Sequence, residues 1–342
     1  MNSSRELVKR TLEFKNNERV PRHLWTLPWA EFTYPDELAE IRAAFPDDII
    51  TMPYPLTAEG FTGRPGDPEG EPYEKGTYLD VWGCRFTSIH RGVIGEVKQP
   101  IITDDDWLDD KNLVLPEKVL DIDKAAVNKF CKENDKFIVA GDWARPFERL
   151  QFIRGTAPLY MDLILRPKRM LATFERVHDF YCRLIKTWAE TDVDAVWFMD
   201  DWGSQKNLLI DPKIWSELFK PMYRDYAEIA HKHGKKIFMH SDGNTLGIIP
   251  ELIEIGIDAV NTQIFCIGVE KLKEFKGHMT FWGEMDRQHL LPHGTLADID
   301  DAVKLVRKTL WDNGGCIAQC EFGVAANPKN VYQVFESWNS GY

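Results

Sequence analysis

The sequence predicts a closed (β/α)8 barrel, and three observations carry that prediction. Eight short apolar runs, each ending in Gly, Pro or polar residues, recur along the 342 residues; amphipathic segments separate them; and no Gly-rich dinucleotide turn is present. Strands alternating with helices imply a parallel sheet, and eight such units favour closure over an open doubly wound sheet.

The runs lie at 23–27, 48–52, 136–143, 195–201, 236–240, 257–261, 278–284 and 316–321. Between them, the segment 212–234 is the clearest crossover helix, with Trp215, Leu218, Phe219, Met222, Tyr226, Ile229 and Ala230 at helical spacing. Residues 56–115 break the pattern. Gly60, Gly63, Pro65, Gly66, Pro68, Gly70 and Pro72 precede a stretch at 78–86 that reads as an antiparallel ribbon, so this part is expected to be an insertion. No internal repeat or low-complexity tract divides the chain, and one domain over 1–342 is expected.

Composition narrows the function. With 44% apolar residues, 28% charged residues and 12 Trp, disordered and collagen-like readings drop out. A formal charge of -12 lacks the basic footprint of a nucleic-acid binder, and a polyanionic substrate would need a local basic pocket. No stretch approaches the roughly 18 apolar residues of a membrane span, and the N-terminus has no apolar leader. Six Cys without a C-x-x-C pair read as reduced thiols, so a cytoplasmic protein with no membrane or nucleic-acid partner is expected.

In a barrel of this kind the active site forms at the C-terminal ends of the strands. Those ends carry Asp142-Trp143, Asp200-Asp201-Trp202, His240-Ser241-Asp242, Asn261-Thr262-Gln263, Glu284-Met285-Asp286 and Cys320-Glu321. His240 and Asp242, two apart on extended chain, project to one side and could hold a cation; a neighbouring carboxylate, Glu284, and a thiolate, Cys320, complete a permitted zinc set. His240 alone also reads as a hydrogen-bonded rim histidine, and Cys320 as a core thiol. The adjacent Asp200 and Asp201 need a cationic or hydrogen-bonding partner, or act as caps of the following helix. Trp25, Trp143 and Trp202 near strand ends, with Gln263, are candidates to line a pocket for a flat ligand, core packing being the alternative for the tryptophans.

The segment Phe198-Met199-Asp200-Asp201-Trp202-Gly203-Ser204-Gln205, then His240-Ser241-Asp242-Gly243-Asn244 and 254–261, resembles the uroporphyrinogen decarboxylase superfamily. The resemblance extends back through Arg154-Gly155 and Met161-Asp162 and forward to Pro328-Lys329-Asn330-Val331. It implies a single barrel and one of two chemistries, porphyrinogen decarboxylation or zinc-dependent methyl transfer involving a corrinoid protein. Decarboxylases of this kind carry an Arg-Gln-Ala-Gly-Arg run near the N-terminus to meet the substrate's carboxylates. Here His23-Leu24-Trp25-Thr26-Leu27-Pro28-Trp29 stands near that position, leaving a polyanion uncompensated.

The methyltransferase branch implied by the resemblance has His-x-Cys-Gly after the fifth barrel strand and a Cys near the last strand. His240 and Cys320 match, while Asp242 replaces the first Cys and hardens the site toward oxygen partners. The expectation is therefore zinc held by His240, Asp242, Glu284 and Cys320, with Asp200 or Asp201 catalytic, an O-methyl substrate and a corrinoid (cobalamin) protein as partner. Three readings compete: porphyrinogen decarboxylation, a glycoside hydrolase using Asp142 and Glu284 in a Trp-lined cleft, and a non-catalytic barrel that only docks a corrinoid protein.

Overall fold

The computed structural model describes residues 3–53 and 69–340. Within it the eight expected runs form one sheet of parallel strands: β1 (Arg22–Thr26), β2 (Ile49–Thr51), β6 (Phe137–Val139), β7 (Ala195–Met199), β8 (Lys236–Ser241), β9 (Ala259–Thr262), β10 (Thr280–Trp282) and β11 (Cys316–Phe322). Their order is β1-β11-β10-β9-β8-β7-β6-β2, and Asp48 N–H donates to the Arg22 carbonyl at 2.9 Å, which brings the β2 end back to β1. The chain is thus an α/β barrel with helices around it, as the alternation predicts.

The antiparallel insertion is present as β3 (Gly76–Leu79), β4 (Arg85–Ser88) and β5 (Glu96–Gln99); the third strand exceeds the expected ribbon. Gly60, Gly63, Pro65, Gly66 and Pro68 lie outside the described residues. The expected helix over 212–234 is two helices, Pro212–Leu218 and Lys220–Lys232. The break falls where Pro221 enters the first turn of the second helix and removes a backbone donor. Among the described residues, no helix is long and apolar enough to cross a membrane.

The barrel interior is aromatic. Trp282 of β10 contacts Trp25, Trp197 and Phe238, whose ring stacks on Phe137 across the sheet. His23 lies parallel to Trp282, and its Nδ1 accepts the indole N–H groups of Trp25 and Trp282 at 3.2 Å each. Burial pushes the His23 pKa down to about 3, so this imidazole stays neutral and serves as an acceptor. Residues of the opposite phase, such as Leu24, Phe198 and Phe322, pack toward the helices; Phe198 meets Tyr223 and Phe322 stacks on Tyr34.

Candidate metal and substrate site

Strand phase decides which side chains reach the barrel mouth. On β7, Trp197 points inward against Trp25 and Phe198 outward, so alternation sends Asp200 outward and returns Asp201 to the mouth. Asp200 is fully buried and accepts the Phe147 and Glu148 N–H groups at 3.0 and 2.8 Å and the Tyr223 hydroxyl at 2.6 Å. It anchors the N-terminus of the helix Pro146–Arg154, a positioning role and not the catalytic one expected. Trp202 also departs from expectation: it is buried behind the sheet, stacked on Phe147 at 3.9 Å, and donates to Tyr223 Oη at 2.8 Å.

Asp201 and Asp242 are brought together by the loops after β7 and β8. Asp242 N–H donates to Asp201 Oδ1 at 2.9 Å, and Gly203 N–H to the Asp242 carbonyl at 3.0 Å. The loops touch backbone to backbone: a Cβ on Gly203 would stand 2.3 Å from Asn244 N, and Gly243, at φ +76°, would place one 2.1 Å from Gly203 O. Only glycine permits that approach.

His240 completes the cluster. Its Nε2 lies 3.6 Å from Asp201 Oδ1 and 3.7 Å from Asp242 Oδ1. Asn261 Nδ2 donates to the Trp282 carbonyl, so Asn261 Oδ1 faces His240 Nδ1 at 2.6 Å and must accept its proton. When the imidazole is neutral, its lone pair is therefore on Nε2, aimed between two carboxylates. Burial alone would lower the His240 pKa, but Asp242, Asp201, Glu284 and the Asn261 bond together raise it. The group that satisfies this arrangement is a cation, either the imidazole's own proton or a metal ion.

Asp242 Oδ1 is buried without a hydrogen-bond partner, an orphan that a metal ion would satisfy. Among the described residues, Asp201, His240 and Asp242 form a cluster whose ligand atoms lie within 4.8 Å of one another. An imidazole and two carboxylates suit a divalent ion, zinc included, with a position left for substrate. Aspartate at 201, expected to act in catalysis, thus stands among the candidate ligands.

Two members of the expected zinc set fall elsewhere. Glu284 is buried at the mouth but outside that cluster; burial raises its pKa to about 8 against the pull of Arg287, whose Nε lies 3.5 Å from its Oε2. Cys320 pairs in register with Leu24, whereas Glu321 pairs with the inward-facing Trp25. The thiol therefore shares the outer phase with Phe322, and the last strand supplies the site with Glu321 instead. Cys320→Ala is accordingly expected to leave the metal content measured by elemental analysis unchanged; loss of one equivalent per chain would restore the thiolate to the site.

Arg287, which the strand-end reading missed, gathers the remaining acids. It pairs with Asp242 Oδ2, with Glu321 Oε1 at 2.9 Å, and with Glu284. Only its position, three residues past Glu284 in the same loop, could have signalled it. Glu148, on the helix that Asp200 anchors, was also missed; its side chain is 17% exposed and lies 4.0 Å from Arg145. Burial pushes its pKa up to about 7, Arg145 opposing and Asp201 adding to the shift.

Two cavities open here. One of about 250 Å³ is lined by Gln263, Cys266, Glu284 and Arg287 among others; one of about 300 Å³ by Trp82, Asp142, Trp143, Arg145 and Arg149 among others. Trp25 stands 5.3 Å from His240, centroid to centroid, and Trp143 lies tilted at 4.8 Å from Trp197, so both border the mouth, and Gln263 lines the smaller cavity. Asp142 and Glu284 line different cavities, whereas a glycosidase sets its two carboxylates in one cleft.

Comparison with known proteins agrees with this architecture. Over its full length the fold is similar to that of a methyltransferase from Methanosarcina mazei, with a TM-score of 0.68, 14% identity and 99% of each chain covered. A 3-keto-D-glucoside 4-epimerase from E. coli is more remote, with a TM-score of 0.42, 11% identity, and coverage of 65% of this chain and 86% of that one. No match is found among curated protein sequences. The model of the family described as uroporphyrinogen decarboxylase matches residues 77–340, most of the chain, and the protein belongs to that family.

Proposed function

We propose that this member of the family is a zinc-dependent methyltransferase that moves a methyl group between a small O-methyl substrate and a corrinoid carried by a partner protein. The observation that carries the reading is the His240 Nε2 lone pair, fixed by Asn261 and facing Asp201 and Asp242. These three residues would hold the ion, which as a Lewis acid polarises an ether oxygen and eases its departure from the methyl carbon.

The protein's own groups do the rest. Asn261 keeps the Nδ1 proton on His240, and Arg287 offsets part of the charge of Asp242, Glu284 and Glu321 so that the mouth tolerates its acids. Glu148, protonated up to about pH 7, is the proton donor for the leaving oxygen. Trp25 and Trp143 give a flat donor an apolar surface and displace water from it. The same acidity argues against porphyrinogen decarboxylation: Arg287 is engaged by three carboxylates, Arg149 pairs with Asp80 and Arg145 lies 4.0 Å from Glu148, so each of these cations already faces an acid of the protein.

An anaerobic assay tests this. Metal-loaded protein, reduced corrinoid and a panel of methyl ethers are expected to convert the reduced corrinoid spectrum to the methylated one. No conversion with any ether, or equal conversion after chelation, would reject the proposal, and release of carbon dioxide from a porphyrinogen would replace it.

Glu148→Gln separates the proton from the fold. A folded-state pKa raised from 4.5 to about 7 means that Glu148's contribution to stability is full below about pH 4.5 and is lost as pH rises through 7. The amide carries no such penalty, so the variant is expected to be more stable than the parent by about 2 kcal/mol at pH 8 and nearly equal to it at pH 4.5. Methyl transfer should fall about 100-fold with metal content unchanged. Chemical denaturation at the two pH values checks the first statement and the spectral assay the second.

A further inference from the structure

Away from the barrel mouth, two outer helices bring together side chains that the proposed reaction does not use. His178 and Cys182 lie four residues apart on the helix Lys168–Ala189, hence on one face, and Asp225 faces them from the helix Lys220–Lys232. His178 Nε2 is 2.9 Å from Asp225 Oδ2, and Cys182 Sγ is 3.6 and 3.8 Å from the two ring nitrogens. The three ligand atoms fall within 4.8 Å of one another.

From this placement we infer a second metal site, in which His178, Cys182 and Asp225 bind a borderline-soft divalent cation such as zinc and tie the two helices together.

Bond lengths near 2.0–2.1 Å to nitrogen and oxygen and 2.3 Å to sulfur place tetrahedral ligands roughly 3.3–3.7 Å apart. The sulfur-to-nitrogen spacing already has that value, and the nitrogen-to-oxygen spacing must open by only a few tenths of an ångström. At His178 Nδ1 stands the Tyr226 hydroxyl, 3.3 Å away, able to accept the ring proton and leave Nε2 free to ligate. Access is open: the His178 side chain is 20% exposed and that of Asp225 52%, so water can fill the fourth position. Without a metal, the His178–Asp225 contact is a partly exposed polar pairing worth little.

The site is separable from the one at the barrel mouth because only this one includes a sulfur. Cobalt(II) serves as the probe, since a cobalt–thiolate bond gives a near-ultraviolet charge-transfer band that imidazole and carboxylate ligands do not. The band is expected in the parent protein and in His240→Ala, and absent from Cys182→Ser and His178→Ala. Asp225→Asn, at the surface and harmless to folding, should weaken the cobalt titration at least about tenfold. Absence of the band from the folded parent protein, or its persistence in Cys182→Ser, as binding at the partly exposed Cys266 would give, overturns the inference.

Discussion

His240→Ala is expected to lose one equivalent of bound metal per chain together with methyl transfer. The imidazole is the one neutral ligand between two carboxylates, and no other imidazole or thiol joins the cluster among the described residues. Asn261 is held by the Trp282 carbonyl, and Arg287 is a cation. If a zinc site of three or four ligands binds with about 10–16 kcal/mol, removing one of them weakens binding by about 100- to 1000-fold. Transfer by metal-dependent chemistry should fall by at least about as much. Elemental analysis after dialysis reads the first quantity and the anaerobic spectral assay the second. Full metal content in the variant would contradict the ligand assignment, and full activity in a metal-free variant would contradict the metal's role. Unchanged near-ultraviolet circular dichroism would show that neither result reflects unfolding.

Arg287→Met is expected to be the most destabilising change at the barrel mouth. The guanidinium is 24% exposed and faces three acids, of which Glu284 is 1% and Glu321 13% exposed. Methionine fills much of the volume but leaves those charges uncompensated, at a cost of about 2–4 kcal/mol at pH 8. The sign of the pH dependence follows from Glu284. A folded-state pKa already raised to about 8, and rising further without Arg287, means that stability is retained at low pH and lost as pH rises. The deficit should therefore shrink markedly at pH 6. Lysine at 287 is expected to recover only part, because it cannot fork between carboxylates. Denaturant titrations at the two pH values measure this, and equal deficits at both would refute an electrostatic role.

The barrel was legible in the sequence because strand-helix alternation survives in hydrophobic periodicity, and all eight runs became strands. Phase was not legible. Strands buried on both faces have no polar side to mark inward and outward, so Cys320 and Glu321, or Asp200 and Asp201, are equivalent in the sequence until register is known. Each pair was separated by the neighbours it packs against: Leu24 and Phe322 place the thiol outside, and Tyr223 with the start of the helix Pro146–Arg154 draws Asp200 away from the mouth. His240 and Asp242 were legible because a two-residue spacing at a strand end shares a side whichever phase applies. Glu148 and Arg287 come from a helix and a loop whose positions depend on contacts across the fold, namely the Asp200 anchor and the ring of acids, which no local pattern encodes.

The proposed chemistry needs a cation held by nitrogen and oxygen alone at the barrel mouth. An anomalous difference map from a zinc-soaked crystal, collected above and below the zinc edge, tests this directly. A peak is expected within bonding distance of His240 Nε2 and of carboxylate oxygens of Asp201 and Asp242, with no sulfur in its shell. A map without density there, or with the peak against Cys320, would contradict it.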